Sequence, residues 1–449
     1  MSQYPLSYTQ EFLCAFDKGD GEGSFSPRYH NTRGWRLSGT IDLDVLQHAL
    51  NDVVARHEGL RTAIVHDGGT GYQEVLPPSP PALVVHDLSD TDAGSDSAPE
   101  SRDRRVEEFL NQVEAGAIDA HRHPVLRAEL GRFDDNDAVL VLIAHHTATD
   151  GWSMRVIMRD LAHCYATRTG HDTPPLPTPR QYREYAVWQK EALTEDALAS
   201  GRDYWRQKLH GSQMLAVPMD RPRSELTKVT STHRFVIDTA LTSATLKFAA
   251  ALRSSPFMVL LTAYELVLRE RTGATDIVVP TLTAGRGHPE FEDTVGTFFN
   301  FIPLRTSLDG CATLREAVQR TRTTCIEAQT YEVPFGHIVG EAPELMAPFA
   351  ATDLAVGAIQ VFQHPFVTDG ELGAGLKYAE IRRRLLSQEV SADIPDGTLW
   401  TLDVDPSDGI FGNIKFNRNE FDESTIAGMV DAFTAALRRI VTTPDAPLQ

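Results

Sequence analysis

Cysteine is scarce in this chain. Its 449 residues hold four, Cys14, Cys164, Cys311 and Cys325, none in a CxxC pair, which argues against a disulfide framework and against a thiolate zinc site. Cys164 lies beside an apolar helical stripe and is expected to be a buried free thiol. Positive charge is also in deficit. Against 62 Asp and Glu stand 42 Lys and Arg, a net charge of −20, too acidic for unaided nucleic-acid binding. Long apolar runs are missing. The most apolar stretch, Phe257 to Leu268, contains Glu265 and is too short to span a bilayer. The first residues, MSQYPLSYTQ, show neither a basic start nor an apolar segment, so no secretory signal is visible. No GxSxG nucleophile elbow occurs.

What is present fits a globular chain. Apolar residues make up 41% and charged residues 23%, the soluble range, and the length allows two or three domains. The expectation is a soluble, cytoplasmic monomer with no membrane or nucleic-acid partner.

One short stretch organises the rest. Ala138 to Ala144 (AVLVLIA) is continuously apolar and reads as a strand buried on both faces. It runs into His145-His146-Thr147-Ala148-Thr149-Asp150-Gly151, and Met154, Ile157, Met158, Leu161, Ala162 and Tyr165 then recur at helical spacing. Adjacent strand side chains point to opposite faces, so His145 and His146 cannot do the same job. A neutral imidazole at a strand end suits general-base work near neutral pH. No cysteine lies near this pair, so if His146 is a base the attacking amine or hydroxyl most simply belongs to a substrate. Asp150 lies beyond the turn and reads as a structural carboxylate paired with an arginine. His121 and His123 invite a metal reading together with the pair, but no carboxylate or cysteine stands at ligand spacing, so no metal is expected.

The remaining chain alternates helix and strand. A Ser-capped helix begins near Ser7. Arg33 to Leu37 is a strand, and a helix from Asp42 is expected to end at Gly59. Strands at Ala63 to His66 and Gln73 to Leu76 flank the Gly-rich DGGTG, a hairpin tip. Residues 89–103, rich in Asp, Ser and Ala, read as a mobile surface insertion before a helix from Arg104 to Ala115, and Val125 to Phe133 is the next strand. The proline-rich 170–180 (GHDTPPLPTPR) is a semi-rigid connector, placing one lobe at 1–175 and a second at 176–449. The second lobe holds helices over Tyr182–Glu195, Ser243–Leu252, Pro256–Thr272 and Thr425–Val441. Its strands are expected at His233–Ile237, Asp276–Leu282, Leu354–Phe362, Leu399–Val404 and Ile410–Phe416. The fold class is α/β (α+β) with two related lobes.

Taken together, these segments resemble a family. HHTATDG matches the HHxxxDG motif of the condensation domains of nonribosomal peptide synthetases, which share the fold of chloramphenicol acetyltransferase. That motif alone also fits wax-ester and polyketide-associated acyltransferases. PLSYTQEFL, RHEGLRT, QYREYAVWQ, DYWRQKL and VGTFFNFIPLR resemble further condensation motifs in the same order, so the likeness covers nearly the whole chain. TYEVPFGHIV departs from the usual HQDxPF pattern at Thr330 and Tyr331, and FQHPF departs from FqxqN. Both changes fall in the C-terminal lobe and bear on the acceptor.

The resemblance implies two acetyltransferase-like lobes in a V with a tunnel between them. A pantetheine thioester enters from one face and the acceptor from the other. It implies His146 as base or stabiliser of the tetrahedral intermediate, with His145 and Asp150 shaping the site. Arg286 is the implied partner of Asp150, with Arg61 second. Gly151 would let substrate approach the backbone, its amide serving the oxyanion. No adenylation or carrier segment is visible, so the expectation is a free-standing condensation enzyme. Its phosphopantetheine is then supplied by a carrier protein in trans, with no cofactor bound permanently. The acceptor is a small molecule or is held on a second carrier, and free-standing relatives include ester-forming enzymes of enediyne pathways. A CoA-dependent acyltransferase of the same fold and a non-catalytic carrier-recruitment domain are the alternatives. The intact HHxxxDG argues against the latter, and the missing DxxxxD argues against a cyclisation domain.

Overall fold

The computed structural model describes residues 3–19, 21–66, 71–89, 99–224, 226–363, 369–373 and 375–448. Two sheets, one per lobe, carry the architecture. The first has six strands in the order Gly370–Gly373, Leu376–Glu380, His30–Ser38, Asp137–His145, Leu126–Arg132 and Ala82–Asp87. The apolar run is the strand Asp137–His145, which pairs with His30–Ser38 on one side and Leu126–Arg132 on the other, both antiparallel. Its period-two alternation feeds two cores. Leu140, Leu142 and Ala144 pack with Trp35, Leu50, Met154 and Leu161, beneath the helices Leu43–Arg56 and Gly151–Arg168. Val139, Val141 and Ile143 pack with Val106, Phe109, Leu110 and Val113 of the helix Pro99–Glu114. Helices on both faces explain why this strand reads as unbroken apolar sequence.

The second sheet runs Thr230–Ile237, Gly409–Asn417, Thr398–Asp405, Leu354–Gln363, Asp276–Thr283 and Asn300–Ser307, with Ala216–Pro218 added beside Leu354–Gln363. Its register puts Pro280, Ala358, Gln360, Leu399, Thr401, Asn413 and Lys415 on one face. Those residues line a cavity. The opposite face presents Val279, Ile359, Trp400, Leu402 and Ile414 to the largest core, beneath the helices Pro256–Thr272, Leu314–Thr330 and Glu423–Thr442. The sheet is therefore half core and half cavity wall. Among the described residues no single helix is long and apolar enough to cross a membrane.

The sequence reading needs four corrections. The helix from Asp42 ends at Arg56, and Gly59 sits in the following 3₁₀ turn Glu58–Arg61. A Cβ on Gly59 would meet the Val295 carbonyl at 2.6 Å, so close packing rather than helix termination calls for glycine there. The expected mobile insertion at 89–103 is helical from Pro99 onward, while 90–98 lie outside the described residues. So do 67–70 of the hairpin tip and His364 to Phe366 of FQHPF. Cys164 is half-buried, not buried. Finally, the boundary at 175/176 does not separate the sheets. Leu376–Glu380 crosses over and pairs antiparallel with His30–Ser38, extending the first lobe's sheet with chain from the second.

Candidate active site

The motif's geometry follows from the end of the buried strand. After His145 the chain turns: the Ala148 N–H (3.0 Å) and the Thr149 hydroxyl (3.1 Å) both donate to the His145 carbonyl. Asp150 then caps the helix Gly151–Arg168, its side chain accepting from the Ser153 N–H at 2.6 Å. His145 is wholly buried. The Thr147 N–H donates to its Nδ1 at 3.2 Å, so the proton sits on Nε2, which donates to the Ser26 carbonyl at 3.0 Å. Burial lowers its pKa to about 3. This ring is a fixed, neutral strut.

His146 is placed differently. Its backbone N–H donates to the Tyr29 carbonyl at 3.0 Å. Its ring stacks on Tyr29, centroids 4.8 Å apart, and meets the edge of Phe299 at 5.6 Å. Nδ1 is buried without a hydrogen-bond partner among the described residues. Burial is the main cause lowering its pKa below the usual 6.5; backbone polar groups at His146 and Thr149 and the Asp150 carboxylate oppose it, and the Lys415 charge adds to it. Near pH 7 the ring is neutral and lines the cavity.

Arg286 and Asp150 form a two-pronged pair, Nη2–Oδ1 at 2.9 Å and Nε–Oδ2 at 3.0 Å, with both side chains at most 10% exposed. Arg286 also donates from Nη1 to the carbonyls of Phe291 and Thr294, and from Nη2 to the Ser153 hydroxyl, each at 3.0 Å. Its guanidinium lies 3.9 Å from the Phe298 ring centroid. The Ser153 hydroxyl donates to the Gly296 carbonyl and accepts from the Gly296 N–H. A Cβ on Gly296 would lie 1.9 Å from the Tyr182 ring, so only glycine lets this loop reach the helix start. The result fastens the loop after Asp276–Thr283 to the N-terminus of the motif helix. Gly151 opens that helix and lines the cavity. Arg61 is elsewhere. It donates to the carbonyls of Val54, Leu76 and Ala55, which is a correction to its candidacy as a partner of Asp150. His121 stacks on Phe25, and His123 donates to the Thr62 carbonyl.

The cavity measures about 540 Å³. One wall is aromatic, with Phe12, Phe299, Phe301 and Phe335 packed ring to ring. Another is the open face of the second sheet. Tyr29 and a cationic group (Arg234, Arg384 and Lys415 around Glu114) also line it. The sequence reading missed both. The aromatic run FFNF was a legible signal for Phe299; nothing in the sequence marked Tyr29.

Two mixed sheets meeting at a cavity that holds the second histidine define a two-lobed fold like that of chloramphenicol acetyltransferase. The condensation-domain family model matches residues 1–449, and the chain belongs to that family, whose members are acyltransferases of nonribosomal peptide synthesis. It is 31% identical over 451 residues to a linear gramicidin synthase of Brevibacillus parabrevis, covering 98% of this chain and 8% of that protein. A probable non-canonical nonribosomal peptide synthetase, CymA of Salinispora arenicola, is 32% identical over 99% of this chain and 6% of its own length. The chain thus spans under a tenth of these two curated relatives. Among solved structures, SgcC5 from Streptomyces globisporus, in complex with (R)-(-)-1-(2-naphthyl)-1,2-ethanediol and sucrose, superposes with a TM-score of 0.93. It is 46% identical, over 99% of this chain and 100% of that one. The first condensation domain of the CDA synthetase shares the fold, with a TM-score of 0.77 at 18% identity over 99% and 98% of the two chains.

Proposed function

We propose that this chain transfers a carrier-bound aminoacyl group from its pantetheine thioester to a hydroxyl acceptor, forming an ester, with His146 as general base. The observation that carries the reading is the neutral His146 ring, which lines the cavity between Tyr29 and Phe299 with Nδ1 unpartnered among the described residues. With Nδ1 buried, Nε2 is the working nitrogen. It takes the acceptor's proton as the oxygen attacks the thioester carbonyl. The oxyanion so formed is met by the Gly151 N–H at the helix start. Collapse breaks the C–S bond, and the departing thiolate recovers the proton from His146.

Two observations support a hydroxyl acceptor that carries an aryl group. The cavity wall is aromatic at Phe12, Phe299 and Phe301. The 46%-identical SgcC5 was crystallised with an aryl ethanediol. The test uses a panel of aminoacyl carrier-protein thioesters with 1-(2-naphthyl)-1,2-ethanediol and the corresponding aryl ethylamine as acceptors, following ester and amide by mass spectrometry. Wild type should form ester and folded His146→Ala should lose about 10²–10⁴ in rate. Equal rates from the two proteins would overturn the assignment of His146, and amine-only acceptance would overturn the ester.

A further inference from the structure

On the cavity face of the second sheet, three cations gather around one carboxylate. Register places Arg234 on the strand Thr230–Ile237 opposite Asn413, two residues from Lys415 on the neighbouring strand, so both cations share that face. Arg384 joins them from the segment after Leu376–Glu380. Across the gap, at the end of the helix Pro99–Glu114, stands one buried carboxylate, Glu114. Its Oε2 receives Arg234 Nη2 at 3.0 Å and Arg384 Nη1 at 2.7 Å; its Oε1 receives Lys415 Nζ at 3.2 Å and the Ser391 hydroxyl at 2.9 Å. Glu114 is saturated. Asn111 Oδ1, which carries no charge, accepts from both guanidinium groups.

Two further acids lie nearby and keep their charge, and a third, Asp403, shares the cavity face with Arg155 as a charged neighbour. Glu107 accepts the backbone N–H groups of Leu385 and Leu386. Asp393 accepts from the hydroxyls of Ser26 and Thr230 and faces Arg28 at 3.6 Å. His30 is buried and its pKa falls to about 4, so it adds no charge. Three cations thus share a single carboxylate in direct contact, with Glu107 a more distant negative neighbour of Arg234. The Nε atoms of Arg234 and Arg384 are buried without a hydrogen-bond partner among the described residues, and Arg234 is only 9% exposed. A buried Arg234 flanked by half-buried Arg384 and Lys415 favours an added counter-anion, and guanidinium groups suit planar or tetrahedral oxyanions.

We infer that Arg234, Arg384 and Lys415 form a subsite for an oxyanion, a carboxylate or a phosphate, on a molecule that occupies the cavity beside His146. A carboxylate would belong to a substrate, a phosphate to the pantetheine arm. That the occupant is a substrate or donor rests on the transferase reading; that an anion binds there does not. The subsite also ties charge to catalysis. Lys415 lowers the basicity of His146, so an anion neutralising it would strengthen the base.

Calorimetric binding to the full chain tests this without turnover, using two matched pairs: 3-phenylpropionate against 3-phenylpropanamide, and 4′-phosphopantetheine against pantetheine. At least one anionic member should bind tenfold or more tighter than its neutral partner at low salt. That advantage should vanish in folded Arg234→Gln or Lys415→Gln. Discrimination within the carboxylate pair assigns the anion to a substrate, and discrimination only within the pantetheine pair assigns it to the donor's phosphate. No discrimination by wild type, which needs no variant to fold, overturns the subsite. So does discrimination that survives in both folded variants. Intact discrimination with neither ester nor amide formation would sink the transferase reading alone.

Discussion

His145 keeps its proton on Nε2 because the Thr147 N–H occupies Nδ1 and the Ser26 carbonyl accepts from the other side. One residue on, His146 has aromatic neighbours about its ring and no partner for Nδ1 among the described residues. The difference is visible in a pH profile. His146 is pushed below 6.5 chiefly by burial, so it stays a free base down to a pH below that value. Ester formation, as kcat/KM, should be flat above pH 6.5 and fall on acidification through an apparent pKa below 6.5. An acid limb centred at or above 6.5 would contradict the burial. The sequence made the division of labour legible, since adjacent positions at a strand end cannot share a face. It could not reveal Tyr29, because ring stacking between residues more than a hundred positions apart leaves no local pattern.

The motif helix Gly151–Arg168 starts where it does because Asp150 caps it, and Asp150 is held because Arg286 reaches it from the other half of the chain. Removing one partner of a buried pair strands the other charge. Asp150→Ala should therefore cost about 3–5 kcal/mol, with about 1 kcal/mol more for the lost cap. Chemical denaturation measures it, and activity should fall with it as the loop 284–299 loosens. The double variant Asp150→Ala/Arg286→Met should recover part of the stability, since it removes the stranded charge as well. A single variant as stable as wild type would mean that the pair contributes nothing. At this scale most elements could be read from periodicity and caps. Ser7, Asp42 and Ser255 each accept from a backbone N–H at the start of a helix. Gly59 misled because a helix stop and a tight contact both select glycine. Nor does a local pattern show which strand the segment Leu376–Glu380 will join.

At the scale of the whole molecule the site exists only because the lobes meet. His146, Asp150 and Gly151 come from the first, and Arg286, Phe299 and the cavity face of the second sheet come from the second. Contacts such as Thr9 Oγ1 to the Phe299 carbonyl, at 2.8 Å, stitch them together. Glu114, Arg234, Arg384 and Lys415 are strung over three hundred residues of sequence, and only topology gathers them. A cavity built across two lobes can hold a long tethered donor as well as an acceptor. If the donor's protein is recognised too, binding energy remote from the thioester can position it, and truncated donors should lose rate as well as affinity. The same aminoacyl group should then turn over much faster on a cognate carrier protein than on CoA or a short thioester. One acceptor at matched donor concentrations makes the comparison, and kcat and KM should both suffer in the shorter donors. Equal rates from carrier and CoA would mean that the pantetheine arm alone is recognised. The chain would then be a CoA-dependent acyltransferase built on the condensation fold.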